Sequence, residues 1–498
     1  MRYSNGTPVG MVELLSNERK NMSKLPDIKT NFAEWYQEVL VQAEIVDASP
    51  TRGCFVIRPY GYAIWENIQR ELDKKIKDLG VSNAYFPLLI PESFLKKEAK
   101  HVEGFSPELA VVTHGGGSKL EEPLVVRPTS ETIIYYMFSK WITSWRDLPL
   151  KVNQWANVVR WEMRTRPFVR SLEFLWQEGH TAHKTHEEAV AMALDALAMY
   201  KDIYENYLAI PALTGIKTES ERFAGAERTY TIEGLMQDGK ALQMCTSHVL
   251  AHSFPASFDV RYQDVDGNVQ VPYCSSWGLS TRAVGALLMT HGDNNGLIMP
   301  PRIAPIQVVL IPIFKSETEK APILEALSAI KQSLDKQGIR SVIDASETST
   351  PGAKFFYWEL KGVPVRLEIG PKDMVNKQVV LVNRCENDKN KRKTFASFDT
   401  IPQTLSTLLD SIQANLLQQT TKRVQEQWYQ ADKLVEFGPK LDATNGLYQT
   451  GWCGDAQCEA KAKEYKGTIR CIRETREHKQ CFACGKSSEH EVLVAKAY

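Results

Sequence analysis

The stretch RWEMRTRPFVRSLEFLWQEGH, residues 160–180, sets Arg160, Arg164, Arg166 and Arg170 among Glu162, Glu173 and Glu178 and two tryptophans. A solvated surface favours lysine with glutamate, and a core excludes such charges. Arginine's planar fork stays protonated and binds carboxylate or phosphate oxygens two at a time, so these residues suit a planar or phosphate-bearing anion. Attack of a carboxylate on a phosphate builds charge that such forks can hold. A nearby carboxylate can orient an arginine, hold a divalent cation or accept from a base amino group. An aromatic ring offers a base a stacking face. Arg160, Glu162, Arg170 and Phe174 supply this set, Arg282 in GLSTR can cover a second face, and Gly278 lets backbone come close. Taken singly, the same residues have plainer readings. An R-x-E pair is usually a cross-strand ion pair, Phe174 and Trp176 alternate and could be core, and His180 and His248 could be structural. The constellation is what points to chemistry.

The surrounding pattern supplies elements to position it. VNQWANVVRWEM and RSLEFLWQEGH alternate as two strands joined by the loop RTRPFV. GYAIWENIQRELDKKIKDLG repeats Trp65, Ile68, Leu72, Ile76 and Leu79 at three- and four-residue steps and stops at Gly80, the pattern of an amphipathic helix. VSNAYFPLLIP is expected as a short buried strand, and EPLVVRPTSET as strand, turn and helix start. THEEAVAMALDALAMYKDIYENYL is expected as a helix with a Thr185–Glu188 capping box. Hairpins are expected at Asp238-Gly239 and Asp266-Gly267, and SSWGLSTRAVGALLMTH passes from strand to helix. The first half is thus a mostly antiparallel sheet with helices packed on it. MPPRIAP, residues 299–305, has the composition of a linker. After it, strands and helices alternate as a compact α/β unit, and a long helix from about residue 406 leads to a Cys-rich tail.

A chain of 498 residues allows about three domains. At 43% hydrophobic and 24% charged it is an ordinary globular composition, and 60 basic against 60 acidic side chains leave any nucleic-acid partner to local basic faces. No secretory leader and no run of about 18 apolar residues is visible, so a cytoplasmic location and no membrane partner are expected. Of nine cysteines, Cys54, Cys245, Cys274 and Cys385 are scattered and five crowd the C-terminus. An odd total favours a reducing compartment and metal ligation over disulfides. Cys453-x4-Cys458 and Cys481-x2-Cys484 place four thiolates on two short turns, which suits a closed tetrahedral Zn²⁺ site. A site recruiting Cys471 or His478 is the rival, although Cys471 in TIRCIRE has the setting of a buried thiol.

RWE…RSLEF resembles the second signature of class II aminoacyl-tRNA synthetases, GLSTRAVGALL the third, and GVSNAYFPLLIP the first, the dimer-building one. RPTSET, FLWQEGHTAH, FAGAERTYTIE and TSHVLAHSF narrow the resemblance to prolyl-tRNA synthetases of the eukaryotic and archaeal type. The resemblance implies a multidomain α/β chain. Its parts are a class II antiparallel-sheet catalytic core over residues 1–300, an α/β anticodon-binding domain over 301–405, and a C-terminal zinc-binding α+β domain over 406–498. It implies a homodimer that activates L-proline with ATP and passes it to tRNA(Pro), with Mg²⁺ and a structural Zn²⁺.

Carried onto this sequence, the resemblance gives Arg160 the bridge between prolyl carboxylate and α-phosphate. Glu162, Arg170 and Ser171 contact ATP, and Phe174 and Arg282 sandwich adenine. Thr129 and Glu131 hold the prolyl amine. Phe105, Trp176, His180 and Phe223 wall the pyrrolidine pocket with His248 at its edge. Gln243 and Thr246 reach the nucleotide, Gln243 as the candidate for Mg²⁺, and Ser276 and Trp277 line the floor. Cys245 stands where the family usually has glycine, and HSF replaces the usual pair after this strand, which puts Gln243 in doubt. No long insertion separates the second and third signatures, so an editing domain is not expected. In the second domain Lys389, Lys391, Arg392 and Lys393 form a basic cluster suited to tRNA phosphates or simply a solvated loop, and Arg366 and Lys372 are candidates for reading anticodon bases. A tRNA-binding paralogue without activity and a ligase for threonine or cysteine are the rival readings.

Overall fold

The computed structural model describes residues 24–96, 109–386, 388 and 390–498. An eleven-stranded sheet runs through it, built from β1 (Ser82–Asn83), β2 (Leu150–Val159), β3 (Glu173–His183), β4 (Leu213–Ile216), β5 (Arg228–Leu235), β6 (Ala241–Ala251), β7 (Tyr273–Ser280), β8 (Trp428–Gln430), β9 (Leu447–Trp452), β10 (Thr468–Arg473) and β11 (His490–Ala495). The spatial order is β8-β9-β11-β10-β4-β5-β6-β7-β3-β2-β1. Its pairs are antiparallel except the edge strands β1 and β8, which run parallel to their neighbours. The helix Pro59–Asp78 starts with proline in its first turn and buries Ile64, Trp65, Ile68, Leu72 and Ile76. Gly80, at φ +72°, turns the chain away after it. This helix joins Phe32–Gln42, His186–Asp202 and Arg282–Thr290 in the main core on one face of the sheet. The helix Glu131–Trp141 buries Ile134, Tyr135 and Phe138 in a second core with Leu250, Phe254 and Cys274.

Several local expectations change. VSNAYFPLLIP is not one buried strand. It forms the two-residue β1, exposed at Ser82 and Asn83, and a separate strand Leu89–Pro91 in a three-stranded sheet. Two prolines in eleven residues break the ladder. Thr185 caps its helix by accepting from Glu188 N–H at 3.2 Å, but Glu188 Oε2 accepts from Lys184 N–H at 3.1 Å, so the box is not reciprocal. The Pro-rich linker is packed rather than free: Ile303 and Ala304 are buried, and Arg340 donates to the carbonyls of Ala304 (2.8 Å) and Pro301 (2.9 Å).

The second unit is a five-stranded sheet with Val308–Pro312 between parallel neighbours Ser341–Ile343 and Val365–Ile369, continued antiparallel by Gln378–Asn383 and Lys393–Ser397. It docks on the first through Arg384, which donates to both carboxylate oxygens of Asp293 at 2.7 and 2.8 Å, and through a Lys361–Glu44 ion pair. The helix Ile401–Glu426 leads on to the tail. The C-terminal strands then extend the catalytic sheet itself: β10 bridges β4 at Ile472 and Ile216.

Candidate active site

The site is one face of β3, β7, β6 and β5. Along β3, period-two alternation puts Phe174, Trp176, Glu178 and His180 on the same side. Register continues the rows across the sheet. Glu178 lies opposite Gly278, Gly278 opposite Thr246, and Thr246 opposite Thr231. The next row is His180, Ser276, His248 and Thr229. These rows, with Thr129, Glu131, Arg160, Phe223 and Gln243, enclose a cavity of about 230 Å³.

At one end the walls are fixed by hydrogen bonds. Glu178 is buried and accepts from Thr129 Oγ1 (3.0 Å) and Ser130 N–H (3.1 Å), and His180 Nε2 lies 3.1 Å from it. Burial pushes its carboxyl up, but His180 and Ser130 outweigh this and hold it below the ordinary value. His248 sits between two hydroxyls, Thr229 Oγ1 and Thr246 Oγ1, each at 3.0 Å, and its ring centroid is 4.6 Å from that of Phe223. The buried Glu131 starts its helix, its N–H donating to Thr129 Oγ1 at 3.2 Å.

At the other end are guanidiniums. Arg160 lies over Phe174 at 5.4 Å and Trp176 at 5.5 Å, and its Nε donates to Pro128 O at 3.1 Å. Arg170 is 3.6 Å from Glu162. Thr281 N–H donates to Leu175 O at 2.8 Å, which brings the next residue, Arg282, level with Phe174. Arg282 donates to the carbonyls of Val169 (3.1 Å) and Gln243 (3.3 Å). Burial, then the nearby Arg160 and Arg170, push Arg282 down to about 10, so it stays charged at neutral pH. Ser171 and Phe174 line an adjoining cleft beside Phe168 and Thr281.

Gln243 and Thr246 are three residues apart, and strict alternation would send them to opposite faces. A β-bulge resolves this: Ile232 pairs with Cys245 but Glu233 pairs with Gln243, leaving Met244 extra. Cys245 consequently faces the core, buried with Tyr200 and Tyr204, and does not narrow the cavity. Trp277 borders the cavity, but its indole lies on the opposite face against Gly179, where a Cβ would come within 2.1 Å of the ring. Phe105 lies outside the described residues. Sequence reasoning missed Glu178, Thr229 and Glu221, which also line the cavity.

Away from this face, the sulfurs of Cys453, Cys458, Cys481 and Cys484 lie within 4.8 Å of one another, a set able to hold a metal ion. Thiolates at about 2.3 Å from a tetrahedral ion stand about 3.8 Å apart, and the Cys484–Cys453 pair is at 3.8 Å. Cys471 is buried against Gly215, and His478 is held by Glu491 at 2.6 Å, so neither joins the four. In the second unit Arg392 turns inward to Glu359 at 2.6 Å, which splits the basic cluster, and Lys389 lies outside the described residues. Arg366, Arg384, Arg392 and Glu359 surround one small pocket. Lys372 is exposed on the helix Pro371–Asn376.

An antiparallel sheet that presents an R-x-E, loop and R-x-x-x-F pair of strands, with an arginine at the following helix start, defines a class II aminoacyl-tRNA synthetase. The model of that class's core domain for the G, H, P, S and T group matches residues 113–291, and the anticodon binding domain model matches 307–407. The prolyl-tRNA synthetase C-terminal model matches 434–498. Proline–tRNA ligase 2 of Clostridioides difficile is 48% identical over 489 residues, covering 97% of this chain and 100% of the relative. The proline–tRNA ligase of Borreliella burgdorferi is 48% identical over 94% of this chain and 98% of its own. The crystal structure of prolyl-tRNA synthetase from Cryptosporidium parvum, complexed with halofuginone and AMPPNP, superposes with a TM-score of 0.90 at 40% identity, over 95% of this chain and 99% of that one. The chain belongs to the prolyl-tRNA synthetase family. These curated relatives are bacterial, so they support the family and not its eukaryotic and archaeal subtype.

Proposed function

We propose that this cavity is where L-proline and the α-phosphate of ATP meet, in a protein whose activity is that of a proline–tRNA ligase. The observation that carries the reading is Arg160, stacked on Phe174 and Trp176 between a hydrogen-bonded apolar pocket and the Arg170–Arg282 group. Thr129 and Glu131 take the secondary ammonium of proline. Trp176, His180, Phe223 and His248 close on its ring, with Phe105 assigned there by resemblance. One methylene in such a pocket discriminates by only ~1–3 kcal/mol, so rigid walls and an ammonium acceptor must do the selecting. Glu162, Arg170 and Ser171 hold ATP, Phe174 and Arg282 sandwich adenine, and Gln243, Thr246, Ser276 and the backbone at Trp277 contact the nucleotide. Arg160 and Arg282 act on the reacting centre. They stabilise charge as the prolyl carboxylate attacks the α-phosphate and pyrophosphate leaves. The terminal ribose hydroxyl of tRNA(Pro) then takes the prolyl group from the adenylate. Gln243 would help hold Mg²⁺, which would supply neutralisation of the triphosphate charge.

Three units divide the work: catalysis over 1–300, anticodon binding over 301–405, and a Zn²⁺ scaffold over 406–498. Cys453, Cys458, Cys481 and Cys484 would hold that zinc with no open position for chemistry. Tyr85, Leu89 and Val111 are apolar and exposed around the first signature, which supports a homodimer. No described helix is long and apolar enough to cross a membrane, in keeping with a cytoplasmic enzyme. The eukaryotic and archaeal type rests on the resemblance of the sequence strings and on the absence of an insertion between the signatures. Mixing protein, ATP and proline without tRNA should release pyrophosphate and leave prolyl-adenylate on the enzyme. No pyrophosphate from folded protein would overturn the reading.

A further inference from the structure

We infer that Arg470, on the C-terminal module, is a positioning residue for the nucleotide end of the catalytic cavity. Glu233 on β5 is fully buried, as nearly are its partners Lys217 and Arg470. Its Oε2 accepts from Arg470 Nε (3.1 Å) and Nη2 (2.9 Å), and its Oε1 from Lys217 Nζ (2.8 Å) and Thr231 Oγ1 (3.0 Å). Lys217 Nζ also donates to Arg470 O at 2.9 Å, closing the triad. Glu233 is the residue at which the β5–β6 register shifts, and it pairs directly with Gln243. The shift is what brings Gln243 onto the cavity face with Thr246, and the Gln243 carbonyl accepts from Arg282 at 3.3 Å. Arg470 therefore fixes Glu233, Glu233 fixes the bulge, and the bulge sets both Gln243 and Arg282. A buried carboxylate that lost its fork would seek another donor, and Arg282 on the nucleotide side already feels the Glu233 charge. A purely structural weld between modules would not need to sit at the bulge. Glu178 and His180, at the prolyl end, stand on β3, three strands from β5 in the sheet order.

This inference rests on placing Gln243 and Arg282 at the nucleotide. Three variants, Arg470→Met, Arg470→Lys and Gln243→Ala, would be compared by proline-dependent ATP–pyrophosphate exchange, with melting temperature and bound metal measured on each. Arg470→Met should raise KM for ATP by about 10-fold or more while KM for proline changes by less than about twofold, and metal content should hold. Arg470→Lys, which keeps the charge without the fork, should recover part of the ATP affinity and serves alone if the methionine variant does not fold. An unchanged KM for ATP in folded Arg470 variants, with Gln243→Ala raised, would overturn the inference and leave a structural weld. An unchanged KM in Gln243→Ala itself would instead remove Gln243 from the nucleotide site.

Discussion

The two ends of the catalytic cavity are built on opposite electrostatic plans. At the prolyl end polar walls are tied to one another before any ligand arrives: Glu178 ties Thr129, Ser130 and His180 together, and two hydroxyls hold His248, while His180 Nδ1 and Trp176 Nε1 stay buried without a hydrogen-bond partner among the described residues. At the nucleotide end Arg160 and Arg282 donate to backbone carbonyls, and Arg282 is depressed by burial and then by Arg160 and Arg170. The ligands explain the difference. A pyrrolidine ring brings shape and one ammonium, so the protein must supply the order. A triphosphate brings its own charge, and a group of guanidinium forks attracts it.

The contrast can be broken most sharply at Arg160. Arg160→Ala should cut exchange by roughly 10³-fold or more, since it removes a charge at the reacting phosphate. Its melting temperature should hardly move, and near-normal exchange would take the residue out of the mechanism. Glu178→Gln tests the other end. Weakening charge-assisted hydrogen bonds of ~1.5–3 kcal/mol should raise KM for proline by roughly 10–100-fold with KM for ATP little changed. Equal rises in both would mean the ends are not independent. Cys453→Ser with Cys458→Ser should abolish bound zinc and loosen the C-terminal module, and unaltered metal content would mean the four-sulfur set was misassigned.

The smallest effect is on stability. Burial and then Lys151 push His183 down to about 4, against a weaker upward pull from Glu188. Burial, with Arg423 adding, pushes His291 down to about 3 although the backbone carbonyl of Leu208 supports it. Both are neutral when folded, whereas the unfolded chain takes up protons near pH 6.5. Their contribution is complete above that pH and is lost as pH falls toward 4 and 3. Each can add up to about 1.4 kcal/mol per pH unit to the slope. Denaturant titrations between pH 7.5 and 5 should show stability falling. A flat profile would contradict neutral buried histidines. Glu178 and Glu233, held below the ordinary carboxylate value, act only at lower pH.

How much of this was legible in the sequence follows from the range of each interaction. Alternation within one strand was readable, and it placed Phe174, Trp176 and His180. The same F-x-W-x-E-x-H pattern puts Glu178 on that face, but in a stretch this rich in charge a buried carboxylate has no local mark that separates it from a solvated one. The α/β unit after residue 305 was readable from its change of rhythm. Three features were not. The bulge at Met244 depends on Glu233 across the sheet. The side taken by Trp277 depends on Gly179 beside it. The joining of β10 to β4 pairs Ile472 with Ile216, and such long-range pairing leaves no local period. The doubt attached to Cys245 likewise dissolves only when its neighbours are known.

The most direct test is ATP–pyrophosphate exchange by the purified protein against each of the twenty amino acids, without tRNA. The account predicts strong exchange with proline above all others, driven by the forks at Arg160, Arg170 and Arg282 beside a preformed prolyl pocket. Exchange with none of them from folded protein would contradict it, and would leave a synthetase fold that binds tRNA without activating an amino acid.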